Sequence, residues 1–98
     1  MVTLTDEQLV TATLEGSDEV FESLVWRHRR TLTRVARRYF PQIDDAEEMA
    51  QEGFVKAYQN LNKLKPGVPV KNWLIRITIN LCLDRLRRER RRGEMPVC

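Results

Sequence analysis

Apolar side chains in this sequence recur at intervals of three and four along almost its whole length, and no stretch alternates apolar with polar as a half-buried strand does. That spacing gathers apolar groups on one side of a helix, so the core has to be built by packing helices together. Four segments carry the pattern. Thr5 to Leu14 opens with Thr5 and Gln8 in capping-box positions and offers Leu9, Val10, Ala12 and Leu14 as its buried side, with Gly16 ending it. The second takes Ser17 as N-cap, carries Asp18 and Glu19 in its first turn, and runs as one long helix of about 22 residues through Phe21, Leu24, Val25, Leu32, Val35, Ala36 and Tyr39 until Pro41. The third starts near Asp44 or Asp45 and reaches about Leu61, with Met49, Ala50, Gly53, Phe54, Ala57, Tyr58 and Leu61 on one half of its surface. The connector over 62–70 holds Pro66-Gly67 and Pro69, a stiff turn. The fourth begins at Val70 or Lys71 and continues through Arg88 or beyond, apolar on two faces: Val70, Trp73, Leu74, Ile77 and Leu81, then Ile75, Ile79, Cys82 and Leu86. The expected fold is all-α, a compact three-helix bundle with a short additional N-terminal helix. Residues 1–92 read as one domain and Gly93 to Cys98 as the start of a linker, which predicts that the domain belongs to something longer.

Charge is segregated along the chain, which predicts two different partner surfaces. Residues 1–26 hold six acids and no base, and 27–38 hold six arginines and no acid. Residues 44–52 are acidic again, and 63–98 set ten bases against three acids. The bases are 13 Arg to 4 Lys, and the planar guanidinium fork is the better ligand for phosphates and base edges. The same composition also serves a small helical protein that only needs a solvated surface.

Several function classes drop out. No apolar run approaches the roughly 18 residues that span a bilayer, and Met1 to Glu7 has neither the basic nor the apolar region of a signal peptide. Cys82 and Cys98 make neither a disulfide framework nor a CxxC metal site, and Cys82 lies on an apolar face. The single histidine, His28, has no nucleophile arrangement or metal-ligand spacing around it and reads as a surface or partly buried residue of the arginine-rich helix. The acids at 44–48 lack the alternation and central glycine of a calcium loop, and no glycine-rich phosphate loop exists. The chain is expected to be a binder, not an enzyme, with no cofactor and no metal.

Two stripes could carry binding. Opposite the apolar half of the third helix lie Glu48, Gln51, Glu52, Val55, Gln59 and Asn62. The stripe is either a plain solvated face or, with Val55 set among acceptors, a patch for a basic protein partner held by charge-assisted hydrogen bonds. On the fourth helix Trp73, Arg76, Asn80, Asp84 and Arg87 share a stripe that ends in Arg85, Arg87, Arg88, Arg90, Arg91 and Arg92. Arg and Asn read base edges, Trp stacks, and terminal arginines hold phosphates. The alternative is a core Trp73 and an Asp84 that pairs with Arg88 one turn on.

The string Asp45-Ala46-Glu47-Glu48-Met49-Ala50-Gln51-Glu52-Gly53-Phe54-Val55-Lys56-Ala57-Tyr58, followed by Asn72-Trp73-Leu74-Ile75-Arg76-Ile77-Thr78-Ile79-Asn80 and then Asp84-Arg85-Leu86-Arg87-Arg88, resembles region 2 of bacterial sigma factors of the extracytoplasmic-function (group 4) type. Phe21, Leu24 and Val25 are similar to that family's Phe-x-x-Leu opening, and the resemblance covers about residues 5 to 92. It implies that the third-helix face docks on the clamp coiled coil of the largest subunit of RNA polymerase, with Glu48, Gln51 and Glu52 as contacts around Val55. It also implies that the loop from Asn62 to Val70 captures a base flipped from the non-template strand of the promoter −10 element, Asn62, Lys63 and Lys65 being candidate contacts. The fourth helix then reads that element with Trp73, Arg76 and Asn80, and Arg85, Arg87 and Arg88 lie nearer phosphates. An anti-sigma factor is an expected partner, the compartment is the bacterial cytoplasm, and the −35-reading helix-turn-helix domain is absent from this sequence. The chain departs from the family at Val68-Pro69-Val70-Lys71, where relatives carry a bulky apolar residue before the Trp-Leu pair, so promoter preference does not transfer. Two other readings stand beside this one: a helical interaction domain held by an anti-sigma factor, and a generic nucleic-acid binder using the arginine tail.

Overall fold

The computed structural model describes residues 3–93, and the expected linker beyond Gly93 lies outside them. Four α-helices are present: α1 (Asp6–Leu14), α2 (Phe21–Ala36), α3 (Ile43–Gln59) and α4 (Val70–Arg91). Two short 3-10 turns, Asp18–Val20 and Leu61–Lys63, precede α2 and follow α3. The helices α2, α3 and α4 pack against one another as a three-helix bundle, with α1 laid across one end. The all-α expectation holds throughout the described residues.

The capping box forms as the sequence predicts: Gln8 N–H donates to Thr5 Oγ1 at 3.1 Å and Thr5 N–H to Gln8 Oε1 at 2.8 Å. The buried side of α1 differs from expectation at one step. Leu14 is exposed, and Thr13 is buried in its place because its hydroxyl donates to Leu9 O at 2.8 Å and so enters the core already satisfied.

The second segment is not one long helix. Ser17 makes no side-chain cap; its carbonyl instead accepts from Val20 N–H at 3.0 Å and winds a 3-10 turn, after which α2 runs for 16 residues. At the far end Arg38 and Tyr39 donate to the carbonyls of Val35 and Ala36, tightening the chain two residues before Pro41 forces an extended approach. Helix α3 likewise ends before Leu61, at Gln59, where the Asn60 side chain donates back to Lys56 O. Leu61 is buried from within the second 3-10 turn.

One core cluster joins Leu9 and Val10 of α1 to Phe21, Leu24 and Leu32 of α2, Ala50, Phe54 and Ala57 of α3, and Val70 and Leu74 of α4. A second, around Ala36, Phe40, Ala46, Met49 and Cys82, closes the other end. Each large aliphatic side chain buried in this way contributes about 1.5–3 kcal/mol before entropy is counted. The α3–α4 seam is tightest at Gly53, where an added Cβ would lie 2.6 Å from Thr78 Oγ1. His28, expected at the surface or partly buried, is buried: Nε2 lies 2.9 Å from Asp6 Oδ2, and Asp6 Oδ1 accepts from Arg27 Nη1 at 2.9 Å, so one carboxylate pins α1 to α2.

Candidate functional site

Helix α3 presents Glu48, Gln51, Glu52 and Val55 to solvent, and Val55 is 57% exposed in the middle of the acceptors. The four line a shallow groove of about 340 Å³ together with Lys56, Gln59 and Leu81 of α4. They occupy this face because Ala46, Met49, Ala50, Gly53, Phe54 and Ala57 turn inward, leaving the opposite arc to water. Leu81 was not among the expected residues; it follows Ile77 by one turn, and its flank of α4 meets α3.

The connector to α4 is held by a Lys65–Val68 turn in which Val68 N–H donates to Lys65 O at 3.2 Å, with Pro66 and then Gly67 at φ 87° in the central positions. Asn62, Lys63 and Lys65 are exposed on it. On α4, Trp73 is half-buried against the first core cluster, while Arg76, Asn80, Asp84 and Arg87 are exposed along one stripe. The core reading of Trp73 therefore holds in part: its side chain packs against the core while the residue stays partly exposed.

One expectation about an ion pair is corrected. Asp84 pairs with Arg87 Nη1 at 2.7 Å and not with Arg88, and both partners are largely exposed. Arg85 does not lie with the other arginines. Four residues after Leu81, it falls on the α3 flank, where Nη1 donates to Glu48 Oε1 at 2.7 Å and Nε to Glu89 Oε2 at 3.0 Å, with the guanidinium 5.1 Å above the Phe40 ring. Burial disfavours its charge, but hydrogen bonds and attraction from Glu89 and Glu48 outweigh that and raise its pKa above the ordinary value. Arg85 thus braces the acidic face.

Residues 24–92 match sigma-70 region 2. The chain belongs to the sigma-70 region 2 family. Among curated relatives, the ECF RNA polymerase sigma factor SigM of Mycobacterium tuberculosis is 34% identical over 92 residues, covering 94% of this chain and 47% of that protein. The ECF RNA polymerase sigma-E factor of Escherichia coli is 33% identical over 89 residues, covering 91% and 46%. This region 2 chain therefore spans about half the length of the curated relatives it matches. An NMR structure of an engineered region 2 of sigmaE in complex with GTAAAA superimposes with a TM-score of 0.86 at 32% identity, over 97% of this chain and all of that one.

One surface of this sigma-70 region 2 chain is not foreseen from the sequence. Trp26 is 67% exposed on α2, with the Arg29 guanidinium 4.7 Å above its ring. Its phase could have revealed it: Trp26 lies out of register with Phe21, Leu24, His28, Leu32 and Val35, which turn inward. Among the described residues no three His, Cys, Asp or Glu side chains gather as a metal-ion set, and no helix is long and apolar enough to cross a membrane.

Proposed function

We propose that this chain is the region 2 domain of an ECF sigma factor, one that docks on RNA polymerase core and recognises and opens the promoter −10 element to initiate transcription. The observation that carries the reading is the near-complete superposition on a sigmaE region 2 solved in complex with GTAAAA. The domain spans residues 1–92, and it works in the bacterial cytoplasm. Glu48, Gln51, Glu52 and Val55 form the polymerase-docking face: the acids and amide accept from a basic clamp coiled coil while Val55 supplies a dry centre. Arg85 acts by bracing Glu48. The loop carrying Asn62, Lys63 and Lys65 captures a flipped non-template base, and Trp73, Arg76, Asn80, Arg87 and Arg88 hold the strand that enters along α4. Extruding a base costs a few kcal/mol. Stacking at about 1–3 kcal/mol per base, together with arginine–phosphate contacts, offsets that cost.

The test is binding of the chain to a purified polymerase clamp fragment beside the Gln51→Ala/Glu52→Ala variant. Both residues are exposed, so the variant keeps the fold. Binding that weakens at least about tenfold in the variant supports the assignment; a folded native chain that does not bind the clamp overturns it.

A further inference from the structure

The sigma-factor reading leaves the arginine face of α2 unused. Trp26, Arg30, Arg34 and Arg37 follow one another at four, four and three residues, a ladder that stands for about 16 Å along the helix. They form one wall of an open groove of about 700 Å³, and Ile43 and Glu47 of α3 belong to its other wall. Among the described residues Arg29, Arg30, Arg34 and Arg37 enter no ion pair, whereas Arg27 is committed to Asp6. Trp26 and Ile43, at 67% and 45% exposure, put apolar surface at the same groove. The stacking of Arg29 on Trp26 holds the indole in place before any partner arrives.

We infer that this groove docks an acidic amphipathic helix of a protein partner. Carboxylates at matching spacing pair with the arginine ladder, and apolar residues beside them cover Trp26 and Ile43, as in other helix-in-groove recognition. One feature favours a protein over a nucleic acid: beside Trp26, Ile43 gives the groove aliphatic surface that bases do not stack on but that is the kind of central anchor protein interfaces bury. None of the lining residues comes from α4, so a strand on the Arg76–Asn80 stripe leaves the groove open.

Fluorescence anisotropy on the 98-residue chain tests this at about 0.15 M salt. The probe is a labelled helical peptide with Glu at i, i+4 and i+7 and Leu alongside; a shuffled peptide of equal composition and an oligothymidylate serve as competitors. The expected result is binding about tenfold tighter than the shuffled peptide, reduced about tenfold by Trp26→Ala and by Arg30→Glu/Arg34→Glu, and unchanged by Arg76→Ala/Asn80→Ala. Equal affinity for the shuffled peptide, indifference to the groove variants, or displacement by oligothymidylate from the groove overturns it. The peptide comparison on the unmodified chain decides the matter even if a variant fails to fold.

Discussion

Gly53 sets how closely α3 and α4 approach, and the reason is a single hydroxyl. Thr78 Oγ1 donates to Leu74 O at 2.9 Å and has no exposure, so it cannot retreat from a methyl group placed 2.6 Å away. Alanine gains about 1 kcal/mol over glycine inside a helix, but overpacking a core costs about 1–3 kcal/mol. Gly53→Ala should therefore lower stability by roughly 1 kcal/mol, a melting shift of several degrees. In a Thr78→Ala background the same change should raise it; an unchanged sign in the double variant would disprove the contact. Cys82 gives a second residue-scale test. Burial, the largest influence, lifts its thiol pKa from 9.0 to about 11, against a smaller lowering by Arg85. Between those values the unfolded chain loses the proton and the folded chain keeps it, so the thiol's contribution to stability is complete below pH 9 and lost as pH rises towards 11. Denaturant midpoints of the native chain and Cys82→Ala should diverge across that window, the native chain falling more steeply.

At the scale of elements, α1 is fastened by side chains from both of its turns. Leu9 and Val10 are buried, and Asp6 holds Arg27 and the buried ring of His28. Asp6→Ala leaves that ring without its partner, a loss of about 1–3 kcal/mol. Because the damage is confined to the α1–α2 junction, amide exchange in α1 should accelerate well beyond that in α3; uniform acceleration would mean that α1 unfolds only with the whole bundle. The number and type of helices are legible in the sequence because the apolar spacing is regular, and the α1 capping box is legible to the residue. What escapes is decided by tertiary geometry. Ser17 has the chemistry of an N-cap, but its carbonyl is taken by a 3-10 turn. Arg85 belongs by sequence to the basic end of α4, yet the rotation of that helix turns it onto Glu48. His28 is polar in sequence and buried in the fold because its partner lies 22 residues upstream. The exposed acidic stripe of Glu48, Gln51, Glu52 and Val55 is legible because these four residues belong to one helix. The Trp26 groove needs the relation of two helices, and a tryptophan off the apolar phase does not by itself name a partner.

Across the whole molecule, the two surfaces proposed for polymerase and DNA lie on different elements: the acidic face belongs mainly to α3 and the Arg76–Asn80 stripe to α4. On that proposal the charges that serve them have opposite sign, so each would also repel the other's partner and give specificity without added contacts. Arg85 is the exception, a cation drawn to the acidic side, where it fixes Glu48 and covers Phe40. Removing it with Arg85→Ala should therefore weaken clamp binding more than −10 binding, the reverse of what a phosphate ligand would give. Asn80→Ala should do the opposite: Asn80 is exposed and no ion pair or side-chain hydrogen bond within the described fold depends on it, so its loss leaves stability within about 0.5 kcal/mol. Binding to a single-stranded −10 oligonucleotide should fall by about 1–3 kcal/mol, while clamp affinity stays unchanged. Salt separates the terms further. Arg87→Ala or Arg88→Ala should flatten the salt dependence of oligonucleotide binding by about 0.7 for each phosphate no longer neutralised, and Asn80→Ala should leave the slope alone. If Asn80→Ala weakened clamp and oligonucleotide binding equally, the surfaces would be one, and the division of labour between α3 and α4 would be wrong.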